Sequence, residues 1–177
     1  GYGFCVFNDL AYTAINLIEE NYAKSILILD LDVHQGDGTI DICQNYPSIY
    51  TCSIHSESNF PFEKKKGWMD VAIPAGSGDD FYLSQLQKTL DDIKHRISPD
   101  IILYDAGIDV FVGDGLGNLE ITREGIIKRD EMVLGNFRNR NIPVATVIGG
   151  GYSSDTQELA SRHAIIFNVA ASIYKIL

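Results

Sequence analysis

Four stretches of nearly continuous apolar sequence constrain this chain most: residues 25–31, 49–54, 101–104 and 143–148. A strand with one wet face alternates apolar and polar residues, whereas a strand covered on both faces does not. These runs do not alternate, so they read as parallel strands buried between two layers, with residues 70–73 as a weaker fifth. Helical periodicity fills the gaps. Residues 8–22 place Ala11, Ile15, Ile18 and Tyr22 on one face, behind a cap at Asn8 or Asp9. Residues 79–97 repeat Leu83, Leu86, Leu90, Ile93 and Ile97 behind Asp79 or Asp80. Residues 122–138 start at Thr122 and bury Ile126, Val133 and Phe137, and residues 155–175 carry a stripe of Leu159, His163, Ile166, Ala170 and Ile173. A shorter helix fits residues 38–45. Alternating strands and helices need right-handed crossovers, which gives an open parallel α/β sheet with helices on both faces. A length of 177 residues suits one domain with a sizeable core, here residues 1–177.

The formal net charge of -10 disfavours direct binding to nucleic acid or an anionic membrane, and leaves a basic substrate open. No apolar run reaches the length of a membrane span. Three cysteines, Cys5, Cys43 and Cys52, match no zinc-knuckle spacing. They read as buried thiols of a reducing compartment, the cytoplasm or, in a eukaryote, the nucleus. Lys64, Lys65 and Lys66 read as solvated surface.

Parallel α/β sheets bind ligands at the carboxyl ends of their strands. Here the first strand runs into DLDVHQGDG (30–38), the second into Ser53 and His55, the third into Asp105, Gly107 and Asp109, and the fourth into Gly149, Gly150, Gly151 and Tyr152. In extended chain, Asp32 and His34 point the same way. They could grip one cation, with Asp109 as a third ligand and an open position left for chemistry. Zinc suits this oxygen and nitrogen set, and iron(II), cobalt or manganese also fit. The same pair could instead bond to each other and cap a helix. Asp30 and Asp37 suit the layer that orients ligands and imidazoles. Tyr152 could stabilise an oxyanion beside the ion. His55 could line the site, His163 reads as a core or edge residue, and His95 as solvated or a helix cap.

DLDVHQGDG, the later AGIDVFVGDGLG (106–117) and GGGY (149–152) resemble, in order and spacing, the zinc-dependent histone deacetylase family of the arginase/deacetylase fold. The opening GYGFCVFND is similar to that family's GFC-x-x-ND segment. GIIKRDE (125–131) and DVHQG (32–36) look most like the class IV, histone deacetylase 11-like, branch and its bacterial members. The resemblance implies that Asp32, His34 and Asp109 hold zinc, and that Tyr152 is the oxyanion-stabilising phenol. Asp30 and Asp37 would pair with two catalytic histidines. Asp30 and the Ser53 hydroxyl, with nearby backbone carbonyls, would hold a structural potassium ion. Phe4 and Phe60 would wall a narrow acyl-lysine tunnel, with Gly151 beside it.

The reaction implied is removal of an acetyl or longer acyl group from a lysine in a protein or from a polyamine. Two departures matter. The family's adjacent histidine pair has no counterpart among His34, His55, His95 and His163. The chain also opens in mid-motif without Met, so it reads as a fragment lacking the fold's first strands, inactive by itself. Binuclear relatives need Asp-x-His-x-Asp, whereas Gly36 stands at that last position. One catalytic ion is therefore expected.

Overall fold

The computed structural model describes residues 3–175. Strands β1 (Ile26–Asp30), β2 (Ile49–Ser56), β3 (Met69–Ile73), β4 (Ile101–Asp105) and β5 (Val144–Val147) form one sheet in the order β3-β2-β1-β4-β5. Every neighbouring pair is parallel. The helices are α1 (Asp9–Glu19), α2 (Asp37–Cys43), α3 (Asp79–Arg96), α4 (Arg123–Asn139) and α5 (Thr156–Tyr174). Each expected element is present, within two or three residues at its ends.

The unbroken hydrophobicity of β1 has a direct cause. All five of its residues are buried, and successive side chains feed opposite layers. Ile26 and Ile28 pack with Ala11, Ala14 and Cys43 of α1 and α2. Leu27 and Leu29 pack with Leu86, Ile126, Val133 and Ile166 of α3, α4 and α5. Each such side chain contributes about 1.5–3 kcal/mol on burial, and a charge in either layer would forfeit that. Along β1 a polar side chain appears only at the strand's end, at Asp30. The register puts Asp30 opposite Ser53 on one side and Asp105 on the other. All three continue the α1/α2 face of their strands, forming one polar row at the sheet's carboxyl edge.

The structure decides one local expectation and corrects several others. Asn8 is the cap of α1, accepting from the Ala11 N–H at 2.8 Å. Tyr22 lies beyond that helix, after Asn21 turns the chain through positive φ, and is 76% exposed. Asp79 does not cap α3, whose cap residue is Gly78. Its carboxylate instead accepts from Thr122 N and Oγ1, at 2.8 and 2.6 Å, and ties the start of α3 to the start of α4. The fully buried face of α5 is Arg162, Ile165, Ile166 and Val169, so Leu159, His163 and Ala170 sit half-buried at its flank. Cys43 and Cys52 are buried, but Cys5 is exposed. Lys64 is half-buried and turns inward, donating to the carbonyls of Asn59 and Pro61.

Candidate metal centre

Beyond β1 the chain does not stay extended. It bends through Asp32, Val33 and His34, and the Asp32 carboxylate accepts the His34 N–H at 2.8 Å. This turn, rather than a strand pleat, puts both side chains on one side. Asp32 Oδ1 also lies 2.8 Å from His34 Nδ1. Asp109 arrives from the loop after β4, fully buried, and its Oδ1 accepts the Val33 N–H at 2.8 Å. Its Oδ2 stands 3.1 Å from the same His34 Nδ1. One ring nitrogen cannot serve two carboxylates equally, and Asp109 Oδ2 is left buried without a well-formed hydrogen bond. Among the described residues, Asp32, His34 and Asp109 are the group able to hold a metal, with ligand atoms within 4.8 Å of one another.

The backbone around this point leaves no room for other side chains. A Cβ on Gly150, whose φ is +54°, would stand 2.3 Å from Asp109 Oδ2 and 2.7 Å from Asp32 Oδ2. A Cβ on Gly107 would stand 2.5 Å from the Asp32 Cα. An orphaned buried carboxylate oxygen, an imidazole aimed at two carboxylates and a glycine cradle fit a divalent cation.

The electrostatics agree. Burial first, then repulsion from Asp109, pushes the Asp32 carboxyl up to about 8. Burial and the adjoining Asp105 and Asp32 hold Asp30 well above the usual carboxylate range. Burial alone would lower His34, but the carboxylates of Asp109 and Asp32 outweigh it and raise the ring to about 10. Without a metal, protons take the place that a cation would fill.

The other expected residues surround this point. Asp30 is buried and accepts the Asp32 N–H at 3.0 Å. Its neighbour Ser53 is buried too, with its hydroxyl 3.0 Å from His55 Nδ1. His55 therefore faces Ser53 in the polar row, and burial, followed by the Lys64 ammonium, lowers the ring below its ordinary value. Asp37 opens α2, half-buried. The Tyr152 and Phe60 rings lie edge-on to His34, at 6.2 and 6.4 Å between centroids. Phe4 stands 6.0 Å from Tyr152 and is 86% exposed. Gly151, with φ +93°, directs its bare α-carbon at Ile108 and Leu159. Burial, followed by Asp32, Asp109 and Asp114, pushes the Tyr152 phenol up to about 12, so it stays a donor.

Three features were not legible as site residues. Asp114 takes the backbone N–H groups of Leu116 and Gly117 on one oxygen and that of Tyr152 on the other, at 2.8–3.0 Å, and so anchors the phenol's backbone. Asp105 completes the polar row, with one carboxylate oxygen sealed from solvent and unbonded. Gln35 clamps the segment bearing Phe60, exchanging hydrogen bonds with Lys65 and reaching Asp70.

The architecture has known counterparts. An HDAC homolog from Aquifex aeolicus superposes with a TM-score of 0.83 at 26% identity, over 97% of this chain and 48% of that one. An acetylpolyamine aminohydrolase from Burkholderia pseudomallei gives 0.81 at 22% identity, over 96% of this chain and 51% of that one, a likeness of fold alone. The sheet is thus that of the arginase/deacetylase fold. Within it, the chain belongs to the histone deacetylase family: the family model for the histone deacetylase domain matches residues 1–167. An uncharacterized protein of Picosynechococcus is 43% identical over 174 residues, 98% of this chain and 58% of that protein. Histone deacetylase 2 of Arabidopsis thaliana is 31% identical over 176 residues, 94% of this chain and 46% of that protein. The chain spans about half the length of the relatives it matches.

Proposed function

We propose that this chain carries the metal centre of a deacylase that removes an acetyl or longer acyl group from the amine of a protein lysine or a polyamine. The observation that carries the reading is the convergence of Asp32, His34 and Asp109 on one point, with the Tyr152 ring edge-on to His34, in a member of this family. When bound, a zinc or iron(II) ion would supply Lewis acidity toward the amide carbonyl and an acidified water, lowering its pKa from about 15.7 toward ~7.

The chain's own residues divide the remaining work. Tyr152, held protonated, donates to the oxyanion that develops on the carbonyl. Phe60 and Phe4 line the approach of the acyl-bearing chain. Asp30 and Asp37 orient the imidazoles that move the water proton to the leaving amine. Those imidazoles come from outside these 177 residues, since no two of the four histidines are adjacent in sequence. The 177 residues alone therefore turn over little substrate. Asp30, with Ser53, also suits a potassium ion. The resemblance of residues 125–131 to the class IV branch supports a reading within that branch, and the net charge of -10 suits cationic substrates.

The missing histidine pair also supports a second reading: a non-catalytic module of the same fold that binds acyl-lysine. The deciding experiment is hydrolysis of acetyl-lysine and myristoyl-lysine peptides and of acetylspermidine by the whole protein loaded with zinc. Turnover abolished by a chelator supports the deacylase. Tight peptide binding without turnover would establish the module instead.

A further inference from the structure

The segment GIIKRDE contains two charged residues that α4 carries into the core rather than to water: Arg129 and Asp130, both 0% exposed. Burying a guanidinium is costly unless its donors are used. Here Nε donates to Asp130 Oδ1 at 2.9 Å, and the Tyr104 hydroxyl donates to that same oxygen at 2.6 Å. The Tyr82 hydroxyl lies against the guanidinium without forming a good hydrogen bond. Nη1 reaches two backbone carbonyls, that of Gly107 closely and that of Leu31 at 3.5 Å.

Those carbonyls sit at telling positions. Leu31 immediately precedes Asp32, and Gly107 stands two residues before Asp109. The bond from Leu31 N to Asp105 O lies just past the paired residues of β1 and β4. Two carbonyls cannot bond to each other, and Nη1, standing between them, links the two turns. On the ligand side, the Val33 N–H to Asp109 bond is the matching tie. Both metal-bearing turns are thus pinned on their core side by one side chain.

We infer that Arg129, braced by Asp130 and Tyr104, is a positioning residue of the metal centre: it spans the turns after β1 and β4 and sets the spacing between Asp32 and Asp109. This rests on the metal reading above, and it gives the GIIKRDE segment a physical role. A plain core ion pair would behave otherwise, because replacing a buried pair by apolar residues of similar volume is often neutral or stabilising.

The test uses the triple variant Arg129→Met/Asp130→Leu/Tyr104→Phe, the single variant Arg129→Lys, and Phe137→Leu as a control that loosens α4 without touching the carbonyls. Apo melting is followed, zinc affinity is measured against a competing chelator, and the cobalt(II) visible spectrum reports ligand geometry. Supporting groups of this kind are worth about 10–100-fold in metal affinity. Both Arg129 variants are expected to lose at least ~10-fold and to change the cobalt spectrum, while Phe137→Leu stays within about threefold of wild type even if its melting temperature falls further. Zinc affinity within about threefold of wild type in the Arg129 variants, with an unaltered spectrum, would overturn the inference and leave the metal reading standing. If the triple variant does not fold, Arg129→Lys decides the matter by the same criteria. A wild-type chain that takes up no cobalt would overturn the metal reading and the inference together.

Discussion

Gly150→Ala is the sharpest probe of the metal centre, because the structure fixes its consequences separately for backbone and ligands. Gly150 has φ +54°, and an added Cβ would lie 2.3 Å from Asp109 Cγ. The left-handed backbone costs an alanine about 1–2 kcal/mol, which lowers the apo melting temperature by about 2–4 °C per kcal/mol in a chain of this size. The steric effect is larger in kind. Carbon atoms pack at about 3.5 Å, so the Asp109 carboxyl must retreat by about 1 Å. Metal sites tolerate about 0.2 Å, so Asp109 ceases to be a ligand. Altering mere supporting groups costs up to 100-fold in metal affinity, so at least ~100-fold is expected here, about 2.7 kcal/mol. Gly113→Ala is the matched control: its φ is +80°, but nothing lies within 4 Å of the added carbon. It should lose similar stability and keep its zinc affinity. Competition titration with a chromogenic chelator, beside apo melts of both variants, measures the two effects. Zinc affinity in folded Gly150→Ala within about threefold of wild type would refute the geometry assigned to Asp32 and Asp109.

Further expectations follow from the same residues. In the whole protein, Tyr152→Phe should reduce kcat by about 10²–10³ with little change in KM, as loss of one oxyanion donor does; steady-state kinetics on an acyl-lysine peptide would show it, and an unchanged kcat would remove Tyr152 from the reaction. Asp109→Ala should abolish stoichiometric zinc uptake by elemental analysis, since one of three ligands goes. For pH, the folded apo chain holds protons on Asp105 up to about 7, on Asp32 up to about 8 and on His34 up to about 10, whereas the unfolded chain releases them near 4 for the carboxyls and about 6.5 for the imidazole. The folded state is then the more protonated one, so stability falls as pH rises. Melts in chelator should decline from about pH 5 to about pH 9, and zinc, which replaces those protons, should offset the decline. An apo melting temperature that rises over this range would contradict the crowding of carboxylates around Asp32.

The central strand was legible because burial on both faces erases alternation, and β1 is buried at every residue; β5, half-buried to exposed at the sheet's edge, carries a similar apolar run without that burial. The candidate ligands were legible because strand ends are where an α/β layer can admit charge, and DLDVHQGDG crowds it there. What stayed hidden depends on partners far apart in sequence. The carboxylate of Asp79 looks like a cap for its own helix, but meets Thr122, 43 residues away. The part played by Arg129 stayed hidden because no local pattern reveals that Leu31, 98 positions distant, leaves a carbonyl facing it. Asp114 lies in the AGIDVFVGDGLG motif, but its tie to the Tyr152 backbone shows only in the fold. Asp32 and His34 do share a side, but through a bend closed by a side-chain hydrogen bond rather than through an extended pleat.

Anomalous diffraction at the zinc edge from crystals of the zinc-loaded protein tests the central claim most directly. A single strong peak is expected about 2.0–2.2 Å from His34 Nδ1 and from one carboxylate oxygen each of Asp32 and Asp109. An absent peak, or zinc held elsewhere with these three side chains still bonded to one another, would contradict it.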